Sequence, residues 1–188
     1  MQLQSKMYLK STAMIGTVVL SAGIVHRYID QANTLSNRVT EDRIPIIMTT
    51  RDIRSHFTES IRSLESYMLF GINPAASVAY RNARRDEFEQ ALSSLEKLRQ
   101  SSMHVDMGAD TARINSLESG LSTLKALEEQ VETLNESKTS QGSAQAYDTL
   151  QNQILPLEKN LFDTTSQLAQ SQNRLADNEQ EHPIHSAG

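Results

Sequence analysis

The chain has 188 residues with no Cys, no Trp, 7 Gly and 4 Pro, and sets 18 Lys and Arg against 23 Asp and Glu for a formal charge of -5. That is one domain's worth of chain, too polar and Gly-poor for an α/β enzyme, and without a basic stripe that would make nucleic acid an expected partner. The absence of Cys removes disulfides, thiolate nucleophiles and Cys-containing zinc sites without choosing a compartment.

In chain order, residues 1–10 read as a cytoplasmic tail and residues 11–29 as a transmembrane helix. Ser11 to Val25 carries no charge and lies between Lys10 and His26-Arg27. Its fifteen residues fall short of the roughly 20 that cross a bilayer core, a shortfall that snorkelling of Lys10 would close. A cleaved signal peptide and a buried core helix are the competing readings. The anchor is preferred to the signal peptide because the sequence runs on into helix-compatible residues with no turn signal. Lys6, Lys10 and the amino terminus outweigh Arg27, which places the amino terminus in the cytoplasm. The implied localisation is the inner membrane, single-pass, with the bulk of the chain periplasmic.

Residues 30–178 read as a four-helix bundle. From Tyr28 to Phe70 apolar residues recur at Ala32, Leu35, Val39, Ile46, Ile53, Phe57, Ile61, Leu64 and Met68, the spacing of a long amphipathic helix. Pro45 should kink it, and Gly71-Ile72-Asn73-Pro74 should end it. A second helix, about Pro74 to Val105, places Tyr80, Phe88, Leu92, Leu95 and Leu98 inward and Arg84 to Glu87 mostly outward. The third begins near Ala112 and carries Ile114, Leu117, Leu121, Leu124, Leu127, Val131 and Leu134, with Gly120 a local cost unless close packing requires it. Thr139 to Ser143 reads as a turn. The last helix aligns Tyr147, Leu150, Ile154, Leu157, Leu161, Thr164, Leu168 and Leu175, with Pro156 a second expected kink, and residues 179–188 form a polar tail. The fold expected is therefore all-α: an N-terminal transmembrane helix followed by an up-down-up-down antiparallel four-helix bundle. Broad apolar faces favour this over a dimeric coiled coil of long rods.

No enzyme constellation emerges. His26, His56, His104, His182 and His185 are scattered, no Gly-rich loop is placed to cradle phosphates, and the serines lack a paired base. The expectation is a protein that is not an enzyme, with no catalytic residues, no metal and no cofactor. A binding role has one set of candidates on the first long helix, where Arg51, Arg54 and Arg62 lie near Thr58 and Tyr67. An arginine there can hold a carboxylate bidentately, and Arg51 and Arg62 fall on nearly the same face. The competing reading is three solvated arginines paired with Asp52, Glu59 or Glu65, the commoner fate of helix surface charges.

The stretches Glu41 to Phe70, with Arg43-Ile44-Pro45, Arg81 to Leu98, and Ile154 to Gln172, with Pro156-Leu157, resemble the four-helix-bundle sensor domains of methyl-accepting chemotaxis receptors and membrane histidine kinases. The resemblance implies an extracytoplasmic sensory input domain that relays helix movement across the membrane. It also implies a homodimer with parallel first helices, the bilayer as a partner, and a small-molecule or periplasmic protein ligand. The chain departs from that pattern where the family continues into a second span, since it ends in a polar segment. A membrane-tethered helical scaffold without a ligand is the alternative.

Overall fold

The computed structural model describes residues 2–70, 73–103, 105 and 107–181, without the side chains of residues 2–18, 35, 38 and 179–181. Among the described residues every regular element is helical. A first rod runs through α1 (Gln2–Asn37), a π turn (Arg38–Arg43) and α2 (Ile44–Phe70), and α3 (Pro74–Ser102) returns alongside it. The chain then rises in α4 (Asp110–Glu136) and descends through α5 (Ser140–Thr149), a second π turn (Leu150–Ile154) and α6 (Leu155–Glu181). The result is the expected four-helix bundle, with α2, α3, α4 and α6 in sequence around one core.

The two prolines account for the two π turns. A proline inside an α-helix offers no N–H, and its ring crowds the carbonyl four residues back. Here the residue before each proline donates five residues back instead, Ile44 N–H to the Val39 carbonyl and Leu155 N–H to the Leu150 carbonyl. Helix resumes directly after each π turn, in α2 and in α6. In the last rod the inward positions are Ala146, Leu150, Ile154, Leu161, Thr165, Leu168, Gln172 and Ala176. Tyr147 is exposed and Thr164 only half-buried, each next to the position that faces inward, and Leu175 lies at the surface beside Ala176.

The connections follow from local chemistry. Asn73 caps α3, its side-chain oxygen accepting from the Ala75 and Ala76 N–H groups at 3.0 and 3.4 Å, with Pro74 in the first helical position. Gly71 and Ile72, expected to share in this break, lie outside the described residues. The turn expected over Thr139 to Ser143 is shorter than its composition suggested. Thr139 caps α5 by accepting from Gly142 N–H at 3.0 Å, so helix begins at Ser140. Gly142 serves close approach, because a Cβ there would sit 2.5 Å from the Leu134 carbonyl oxygen. Gly120 has the same use between α4 and α6, where a Cβ would meet Leu161 at 2.6 Å.

The core runs from Val39 and Ile46 through Ile53, Phe57, Ile61 and Leu64 on α2 to Phe88, Ala91, Leu95 and Leu98 on α3. Ile114, Leu117, Leu121, Leu124 and Val131 join from α4. Ala32 is exposed, so the core begins later than the apolar pattern of the first rod.

The transmembrane part of the expected fold is corrected. Among the described residues no helix is long and apolar enough to cross a membrane. The charge-free run is only fifteen residues, diluted by Ser11, Thr12, Gly16, Thr17, Ser21 and Gly23 and closed by Lys10 and His26-Arg27. The side chains of its 11–18 portion lie outside those described. The single-pass inner-membrane localisation with a periplasmic bulk, and the bilayer as partner, fall with the span. The parallel homodimer loses the paired spans that were to hold its first helices side by side. The polar tail expected over 179–188 lies outside the described residues from 182 onward.

Phe57 is wholly buried, whereas Leu20 and Val25 are 70% and 55% exposed on the part of the first rod outside the bundle. Phe57→Ala should therefore cost about 3–5 kcal/mol in equilibrium denaturation, and Leu20→Ala or Val25→Ala less than about 0.5 kcal/mol.

Candidate functional site

Four of the five candidate residues come together. Arg51, Arg54, Thr58 and Arg62 line one open groove of about 480 Å³ beside Phe162 of α6, together with Ser55 and the acids Asp52 and Glu59. Arg54 is held there by stacking, its guanidinium carbon 4.9 Å from the centre of the Phe162 ring. Tyr67 does not join them, because it faces the core at 3% exposure with Arg81 lying 5.8 Å from its ring centre.

The arginines also divide. Arg62 pairs with Glu59 one turn back, as expected of a surface charge. Arg51 and Arg54 pair with no carboxylate among the described residues. Toward α6 they border a smaller groove of about 190 Å³ completed by Thr165, Ser166, Ala169, Gln170 and Asn173, and Thr50, with no acidic residue in its lining. At the other end the surface turns acidic. Glu158 there is pushed up from its ordinary range by burial and by the Glu65 charge, with Arg62 opposing.

A second constellation lies inside the bundle. Arg84 of α3, expected to point mostly outward, is 3% exposed and bridges to α4. Its Nε donates to Glu132 at 2.8 Å and its Nη1 to Glu128 at 2.8 Å, while Arg85 reaches the other Glu132 oxygen at 3.2 Å. Ser60 of α2 lies 2.9 and 3.0 Å from the two Glu128 oxygens and 3.2 Å from the Arg84 carbonyl. Arg81 with Glu136, and Arg99 with Glu118 at 3.0 Å, extend the pairing along the same seam. Burial alone would lower the Arg84 pKa, but the hydrogen bonds and charges of Glu132 and Glu128 outweigh it and raise it. Glu128, wholly enclosed, is pushed up to about 7 by burial, against the opposing pull of Arg84 and Ser60.

A third polar cluster ties the ends of three helices. Gln172 of α6, with no exposed surface, accepts from Arg43 at 2.9 Å and donates to Asp110 at 2.7 Å, and Asp110 also pairs with Arg113. Among the described residues no group of three or more carboxylates or histidines converges to hold a metal ion.

The sequence does contain a signal for the buried charges. Arg84 stands four residues before Phe88, Glu128 four after Leu124, and Ser60 four before Leu64, so all three occupy positions of the apolar stripe. Reading Arg84 as one of a run of charges hid that register.

No family model, no curated protein and no solved structure matches this chain. The bundle itself stands, but the chemotaxis and sensor-kinase assignment does not. It required a membrane-crossing helix, and none is found among the described residues. The membrane-receptor input function, its membrane-tethered scaffold alternative, and the small-molecule or periplasmic ligand drawn from the resemblance are withdrawn with it.

Removing one partner of a buried ion pair leaves the other charge uncompensated. Arg84→Leu should destabilise the protein by about 3–5 kcal/mol in denaturant titration, and adding Glu128→Leu should recover most of that loss. Arg62→Ala, at an exposed pair, should change stability by less than about 1 kcal/mol.

Proposed function

We propose that the chain is a non-catalytic helical interaction module that binds an acidic segment of a protein partner across the α2–α6 face. The reading draws on these residues alone and not on the receptor resemblance. The observation that carries it is the pair Arg51 and Arg54, which form no ion pair among the described residues and border, toward α6, the smaller groove whose lining holds no acid, in a chain that is acidic overall.

Three physical points support it. Stacking on Phe162 restricts the Arg54 guanidinium, so less side-chain freedom is lost when it meets a carboxylate. Ser166, Gln170 and Asn173 supply neutral hydrogen-bonding groups that pose no repulsion to an anion. A net charge of -5 disfavours non-specific capture of acidic chains, so attachment depends on this patch.

A fluorescent ten-residue oligoglutamate peptide is a suitable probe, read by polarisation at low and physiological salt. Binding should weaken as salt rises. Arg51→Ala should weaken binding by up to about 1 kcal/mol, and the Arg51→Ala/Arg54→Ala pair should weaken it further. Arg99→Ala on the α3–α4 seam should leave binding unchanged. Absence of binding, or equal affinity in the double variant, overturns the proposal.

A further inference from the structure

Arg51 and Arg54 stand between two grooves, the smaller one toward α6 and the larger one toward Arg62 and Phe162. Both walls of this face are α-helices, whose main-chain N–H and C=O groups are spent within the walls. Among the described residues there is no strand edge on which an extended peptide could pair its own backbone. A helix, by contrast, brings its main-chain bonds with it and needs only side-chain contacts.

The spacing of the walls suits a helix. Along α2 the lining residues Arg51, Ser55, Thr58 and Arg62 recur at intervals of four, three and four, and along α6 Phe162, Ser166, Ala169 and Asn173 recur at the same intervals. Each row is about 16 Å long, three helical turns. The floor between them is small, with Thr50 and Thr165 at 1% and 2% exposure. Their hydroxyls donate to the Ile46 and Leu161 carbonyls at 2.7 and 3.0 Å, so neither asks for a partner from the occupant. A floor of that kind admits a third helix at the close spacing of ridge-into-groove packing.

Charge decides what the helix carries and which way it lies. Arg51 and Arg54, one turn apart, form no ion pair among the described residues and call for two carboxylates at the same separation. About three turns further along the face, Glu65 of α2 and Glu158 of α6 are half-buried and act on each other, with Arg62 offsetting them in part. That end repels acid and favours a base. A helix with acids in its first turns and a base in its last also complements its own macrodipole.

We propose that the acidic segment docks as an α-helix along the α2–α6 seam, two carboxylates one turn apart meeting Arg51 and Arg54 and a lysine or arginine lying over Glu65 and Glu158. The helix runs in the direction of α2 and forms a fifth member of the bundle. Docking of this kind rests on the acidic-segment reading above and adds a conformation and a register to it.

The test uses the full chain and fluorescent, hydrocarbon-stapled, alanine-rich helical peptides, read by polarisation. One carries two glutamates one turn apart near its N-terminus and a lysine about three turns later on the same face. A second has the same composition and staple with one glutamate moved to the opposite face. The first should bind about fivefold tighter than the second, and Arg51→Ala/Arg54→Ala should remove the difference. Ala169→Leu, which raises the floor, should weaken the first peptide about tenfold and leave the flexible oligoglutamate unaffected. Equal affinity of the two helical peptides for the unsubstituted chain overturns helical docking, while binding of oligoglutamate in that case upholds the acidic-segment reading. Absence of binding by oligoglutamate and both helical peptides overturns that reading as well. Should Ala169→Leu not fold, the comparison of the two peptides on the unsubstituted chain still decides.

Discussion

The guanidinium of Arg84 is the constraint around which the bundle is arranged. A buried cation needs compensating charge and hydrogen-bond acceptors, and α4 supplies both in Glu128 and Glu132, one helical turn apart. One arginine fits between two such carboxylates at a single axial register, so α3 and α4 are fixed relative to each other by charge. The same register puts Arg81 opposite Glu136 and Arg99 opposite Glu118, each later arginine meeting an earlier glutamate as antiparallel helices require. Ser60 then ties this pair to α2. The neighbouring α2–α3 seam has a different character, with Phe57, Ile61 and Leu64 packed in the same core as Phe88, Ala91 and Leu95. The α2–α3 side is packed mainly by apolar residues and edged by the His56–Glu87 contact, while the α3–α4 side carries an ionic ladder with a groove beside it.

Proline handling is the second organising feature. Pro45 and Pro156 were expected to kink their helices. Each is preceded by a π turn, with helix continuing on both sides of it. The stripe expected for the last rod holds at Leu150, Ile154, Leu161 and Leu168 on both sides of the π turn, and misses at Tyr147, Thr164 and Leu175, where the adjoining Ala146, Thr165 and Ala176 are the buried positions.

Legibility in the sequence divides along the same line. Uninterrupted apolar stripes were legible, and Ile53, Phe57, Ile61 and Leu64 on α2 and Ile114, Leu117, Leu121 and Leu124 on α4 are buried as their spacing implied. Asn73-Pro74 was legible because capping and proline geometry act locally. Gly120 was left open on sequence and is resolved by the approach of Leu161. Arg84 and Glu128 stand at positions of the apolar stripe and that register marks them as inward, whereas their partners, like those of Gln172, come from other helices and leave no local pattern. The membrane span failed for another reason. A short charge-free run was extended across its flanking charges by supposing that Lys10 would snorkel, and among the described residues no helix is long and apolar enough to cross a membrane.

The two sets of arginines now separate on physical grounds. On α3, Arg81, Arg84, Arg85 and Arg99 each have a glutamate on α4, and their positions follow from holding that seam. On α2, Arg62 is matched within its own helix, but Arg51 and Arg54 have no such explanation in the fold. Neither supports the core: Arg51 is exposed, and Arg54 lies across Phe162, itself 47% exposed. Matched, buried charges and unmatched, exposed ones look alike in composition. They differ in what their loss should do, because removing a matched, buried arginine destabilises its partners, whereas removing an unmatched, exposed one leaves the bundle intact. That asymmetry makes the α2–α6 face the part of this molecule where binding can be probed without disturbing the architecture that presents it.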